Sequence, residues 1–93
     1  MIYNSKDFNI IAIKTIDQII DDYNRYTVGR NKDYYFELSR RCDNAIECNI
    51  DWMDNSDSYS WERAYSKQEL KDGLSQYFGK EFLDMKFDIE VEL

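Results

Sequence analysis

Three stretches of the chain alternate apolar and polar residues with a period of two, the pattern of strands that bury one face. In the first, Tyr34, Phe36 and Leu38 share a side, opposite Asp33, Tyr35, Glu37 and Ser39. The second sets Ile46, Cys48, Ile50 and Trp52 against Glu47, Asn49 and Asp51. The third sets Met85, Phe87, Ile89, Val91 and Leu93 against Lys86, Asp88, Glu90 and Glu92. A shorter stretch, with Tyr59, Trp61 and Tyr65 on one side and Ser58, Ser60 and Glu62 on the other, adds a strand whose aromatics read as core or edge packing. Asp43-Asn44 and Asn55-Ser56 supply the turns. Phe8 to Ile13 reads as a further strand, because a helix through it would set Asn9 on the apolar face.

Two segments carry the period of a helix. Thr15 and Gln18 have the spacing of a capping box, and from there Ile16, Ile19, Ile20, Tyr23 and Tyr26 recur at three- and four-residue steps. The spacing predicts an amphipathic helix over about 15–26, released near Gly29. A second capping box, Ser66 to Glu69, opens a helix with a buried stripe of Leu70, Leu74, Tyr77 and Phe78, closed at Gly79. The order β-α-β-β-(β)-α-β is close to the split βαβ arrangement of ferredoxin-like domains. The predicted class is α+β: an antiparallel sheet of four to five strands with two helices on one face, forming a single domain over residues 1–93.

Charge is the most informative part of the composition. Residues 1–41 hold six acids and seven bases, net +1; residues 42–93 hold thirteen acids and five bases, net −8, which together give −7. Between Asp43 and Glu62 there are six acids (Asp43, Glu47, Asp51, Asp54, Asp57, Glu62) and no base. Strand alternation puts Glu37, Glu47, Asp51, Glu62, Asp88, Glu90 and Glu92 opposite the apolar residues. On that reading, the open face is a lattice of carboxylates, with Asp54 and Asp57 at one end and Tyr35 as an aromatic contact among them. A smaller basic group, Arg25, Arg30, Lys32, Arg40 and Arg41, lies near the ends of the first helix and first hairpin. It reads as charge compensation at a helix end, or as the positive pole of a bipolar surface.

Several chemistries are disfavoured. The chain has no histidine, which removes the usual general base and the commonest zinc ligand. Cys42 and Cys48 lack CxxC spacing and read as reduced thiols. Asp51 to Glu62 imitates a calcium loop, but Met53 and Ser56 stand where that loop needs an oxygen ligand and a glycine. The carboxylate pairs face solvent, where burial cannot raise a pKa for acid catalysis. These features predict a non-enzyme with no metal and no cofactor. An acidic chain without a basic face is also unsuited to binding nucleic acid or an anionic membrane directly. No long apolar run follows a basic segment at the start, so the expected location is the cytoplasm.

In size, in the acid-only stretch Asp43 to Glu62 and in the acidic terminal segment Asp84 to Leu93, the chain resembles the small acidic inhibitors that phages direct against host nucleases, especially anti-CRISPR proteins that mimic DNA. Asn31-Lys32-Asp33-Tyr34 with Leu38-Ser39 is similar to a stretch of a small anti-CRISPR inhibitor of Cas9. The resemblance implies a basic protein partner, a CRISPR effector nuclease such as Cas9, inside the host cytoplasm. There, Asp and Glu carboxylates would meet the arginines that read DNA. The same electrostatics suit an immunity protein or antitoxin that plugs a basic toxin. A structural or assembly domain pairing through an edge or an apolar patch is the third reading.

Overall fold

The computed structural model describes residues 10–54 and 56–93, and at residues 60–62 the backbone alone. Its elements are β1 (Ala12–Thr15), α1 (Ile16–Asp22), β2 (Tyr26–Arg30), β3 (Tyr34–Arg40), β4 (Ile46–Trp52), β5 (Ser58–Ala64), α2 (Lys67–Phe78), a 3₁₀ segment (Lys80–Asp84) and β6 (Lys86–Glu92). The class is α+β, with an antiparallel sheet and two helices as expected.

The period-two segments form strands because their apolar sides bury together under the helices. Phe36, Leu38, Cys48, Ile50, Phe87 and Ile89 are fully or almost fully buried. They share one core with Ile16, Ile19 and Ile20 of α1, Leu70 and Leu74 of α2, and Phe82 of the 3₁₀ segment. At one end an aromatic group closes the core: Phe78 stacks on Phe82 at 4.2 Å, and Tyr34 meets both rings edge-on. The other face of the sheet has no helix on it among the described residues.

The strand count and order differ from expectation. The sheet has six strands in the order β1-β6-β2-β3-β4-β5, not the ferredoxin-like order. Strands β2 to β5 form a meander of hairpins. The chain then returns through α2 and inserts β6 between β1 and β2, antiparallel to both. One split βαβ unit, β1-α1-β2 around β6, is all that remains of the expected arrangement. The unexpected strand is β2. The helical spacing of Tyr23 and Tyr26 ran into Tyr26-Thr27-Val28, residues that fit a pleated surface better than a helix, and pairing with β3 and β6 decides the matter. Thus α1 ends at Asp22, and Gly29 lies inside a strand instead of at a helix stop. A Cβ there would come within 3.1 Å of the Asp88 carbonyl oxygen and the Ile89 side chain, so glycine permits the close approach of β6.

The Thr15 box closes as the spacing predicts, and the Ser66 box forms in half, since the Glu69 carboxylate accepts from the Tyr65 N–H and not from that of Ser66. The Thr15 hydroxyl accepts from the Gln18 N–H while the Gln18 side chain accepts from the Thr15 N–H, and Ser66 accepts from the Glu69 N–H. Lysines of α2 hold α1: Lys71 bridges Asp17 and Asp21 at 3.0 and 2.6 Å, and Lys67 donates to the Asp21 carbonyl. Tyr77, expected in the buried stripe, is exposed and packs on Tyr59 at 4.3 Å. Of the expected strand at 8–13, residues 8 and 9 and the turn residue Asn55 lie outside the described residues. The strand itself runs over Ala12–Thr15.

Gly79 ends α2 with φ 98° and ψ 156°, a region that essentially only glycine enters. Gly79→Ala should therefore destabilise the protein by about 1–3 kcal/mol, read as a lower midpoint in urea unfolding at unchanged slope.

Candidate functional site

Antiparallel register partners lie on the same side of a sheet, so the strand pairings fix what faces outward. One row across the open face runs Asp88 (β6), Arg30 (β2), Tyr35 (β3), Asp51 (β4) and Ser58 (β5). The next contains Val91, Val28, Glu37 and Asn49. A third contains Tyr26, Ser39 and Glu47. Tyr35 sits amid the carboxylates. Its pKa is raised by partial burial and then by the charges of Glu37, Glu90 and Asp51, with Arg30 opposing them.

Of the expected site residues, Glu37, Glu47, Asp51, Asp88, Glu90 and Tyr35 come together on this face. Asp54 and Asp57 are exposed in the turn after β4, where the Asp57 carbonyl accepts from the Trp52 N–H. The Glu62 and Trp61 side chains lie outside what is described. The backbone of residues 62 and 63 forms an irregularity opposite Glu47, since Cys48 pairs with Trp61 but Ile46 pairs with Ala64.

Two acids depart from the lattice. Glu92 does not lie on the open face. Val28 pairs with Val91 while Gly29 pairs with Ile89, so β6 accommodates Glu90 as an extra residue, a β-bulge that inverts the alternation beyond it. Val91, expected inside, emerges on the open face at 37% exposure. Glu92 turns to the helix side and meets Lys14 at 2.9 Å, with Asp22 on the same ammonium at 3.2 Å. Glu90 stays on the open face, but Arg30 neutralises it at 3.1 Å. Arg30 and the exposed Lys86 therefore dilute the β6–β2 half of the face. The β3–β4 half and the turn beyond carry no described base.

The acids divide by whether they are paired. Asp17, Asp21, Asp22 and Glu92, on the helix side, meet lysines, and Asp43 lies between Arg41 and Arg63 at 3.6 and 3.5 Å. Among the described residues, Glu69, Asp72, Glu81 and Asp84 of α2 and the 3₁₀ segment make no ion pair, nor do Glu37, Glu47, Asp51, Asp54 and Asp88 of the open face and its turn. Two of the latter take hydroxyl donors instead: Tyr26 donates to Glu37 at 2.7 Å and Ser39 to Glu47 at 3.2 Å. Asp33, on the polar side of the alternation but absent from the expected site, joins this group: its carbonyl accepts from the Met53 N–H at 2.9 Å. Counting outward along the hairpin from Asp43–Asn44 reaches Asp33 opposite Met53, so the signal was present. An exposed methionine thus lies in a corner with Asp33, Asp51 and Asp54.

Other chemistry is sparse. Cys42 is exposed and Cys48 buried, both free, and burial pushes the Cys48 thiol well up, which makes it a packing residue. Among the described residues there is no group of three metal-ligating side chains and no helix long and apolar enough to cross a membrane. Compared with family models, curated proteins and solved structures, the chain matches none.

The bond to Glu37, with partial burial, pushes the Tyr26 hydroxyl up to about 12. A raised phenol binds its proton more tightly in the folded state, so its stabilisation is complete below about pH 10. It fades as pH rises through about 12. Stability measured by urea unfolding should decline over that window in the parent protein, and Tyr26→Phe should decline less. Parallel curves would remove the Tyr26–Glu37 bond from the description.

Proposed function

We propose that the protein is a non-catalytic, protein-binding inhibitor whose open sheet face occupies the basic nucleic-acid groove of a partner, in the manner of an anti-CRISPR DNA mimic acting on an effector nuclease. The observation that carries this reading is the division of the acids. The carboxylates of α1, and Glu92, are matched by lysines, whereas Glu37, Glu47, Asp51, Asp54 and Asp88 on the open face and its adjoining turn meet no cation among the described residues.

On a strand, alternate residues stand about 6.8 Å apart and neighbouring strands about 4.8 Å, so these groups form a rigid two-dimensional array of negative charge. Arginines that grip phosphates pair equally well with carboxylates. A preformed sheet presents those carboxylates without the ordering cost that a flexible acidic tail would carry. Tyr35 and Met53 supply the less polar contacts that a central anchor requires. Binding of this kind associates quickly and weakens with salt.

The test is competition for DNA binding by a basic effector nuclease. Asp51→Lys, Asp54→Lys and Asp57→Lys combined should weaken inhibition by at least about 100-fold, as expected when several charge-assisted contacts turn repulsive. Glu92→Gln, on the helix side, should leave inhibition unchanged. Full inhibition by the folded triple variant would eliminate the acidic face from the mechanism. Binding that survives high salt and responds to Tyr35→Ala alone would favour an assembly domain.

A further inference from the structure

At the opposite end of β3 from the Asp33 corner lies a cavity of about 480 Å³ lined by Arg25, Tyr26, Ser39, Arg40, Arg41, Cys42 and Leu93. Its lining has three arginines and no Asp or Glu, on a chain whose net charge is −7. The neighbouring hydroxyls are committed elsewhere: Tyr26 to Glu37 and Ser39 to Glu47. Those bonds tie the two nearest open-face acids to hydroxyls, leaving the arginines without carboxylate partners in the lining.

The guanidinium groups are only partly used. Arg40 donates one of its N–H groups to the Asn24 carbonyl at 2.6 Å and also meets the Tyr23 hydroxyl, contacts that orient it and use only part of its five donors. Arg41 lies 3.6 Å from Asp43, which it shares with Arg63, and its Nε has no hydrogen-bond partner. Arg25 is exposed, and its side chain makes no hydrogen bond or ion pair among the described residues. Three arginines thus border one concavity, and among the described residues Asp43 is the acid that meets one of them.

We propose that this cavity binds a phosphate monoester, either inorganic phosphate or the phosphate of a small nucleotide. A phosphate dianion offers three acceptor oxygens and close to two charges, enough to engage more than one guanidinium fork at once. The volume lies within the range of small-ligand sites. This site is independent of the open-face reading and stands about 20 Å from the Asp33 corner along the six steps of β3.

Cys42 is a reporter built into the lining, since it is exposed while Cys48 is buried. Alkylation of Cys42 by neutral iodoacetamide, followed by peptide mass mapping, should slow at least about fivefold in saturating orthophosphate. AMP should protect as well, whereas adenosine, or sodium chloride at equal ionic strength, should not. Protection by AMP at lower concentration than orthophosphate identifies the nucleotide as the source of the phosphate; equal concentrations identify the free anion. Arg25→Gln, which removes no structural contact, should raise the half-protecting concentration about tenfold, the loss of one charge-assisted contact. An alkylation rate indifferent to both phosphates, or protection unaltered in Arg25→Gln, would overturn the proposal.

Discussion

Burial of one sheet face beneath the helices is the constraint on which the rest of this molecule depends. Phe36, Leu38, Cys48, Ile50, Phe87 and Ile89 leave water together beneath α1, α2 and the 3₁₀ segment. A slip of one residue in any of these strands would send its apolar set outward, so the register is tightly specified. The same geometry then dictates where the intervening polar residues go. Glu37, Glu47, Asp51 and Asp88 face one direction because their neighbours in sequence must face the other. The charged surface is a consequence of the core.

Much of this was legible in the alternation. The faces of β3 and β4 follow from period two, and the caps at Thr15 and Ser66 follow from short-range hydrogen bonding that needs no tertiary context. What could not be read depended on partners distant in sequence. Tyr26 to Arg30 form a strand only because β3 and β6 flank them, and no local pattern announces where β6 inserts. The bulge at Glu90 is likewise invisible in a perfectly alternating segment. It moves Val91 out and Glu92 in, and thereby removes one acid from the face and delivers it to Lys14. Which acids are neutralised was equally hidden: the Glu90–Arg30 pair depends on the pairing of β2 with β6.

The resulting charge distribution is directional. Lys71 of α2 and Lys14 quench the acids of α1 and Glu92, where ion pairs tie elements together. The β3–β4 half of the open face keeps its carboxylates unpaired among the described residues, and the far end of the same hairpin gathers arginines around a cavity. Like charges held near one another on a scaffold oppose folding. Their retention at both ends of one hairpin is the physical ground for reading these surfaces as binding surfaces.

The most direct test needs no knowledge of the natural partner. Titrating the ¹⁵N-labelled protein with a short oligoarginine peptide, and following its amide resonances, would locate the strongest site for a polycation. The account predicts perturbations concentrated at Tyr35, Glu37, Glu47, Asp51 and Asp54, reversed by added salt, with Asp17, Asp21 and Glu92 unaffected. Perturbations spread evenly over the acids of the chain, or centred on the α1 carboxylates, would contradict it.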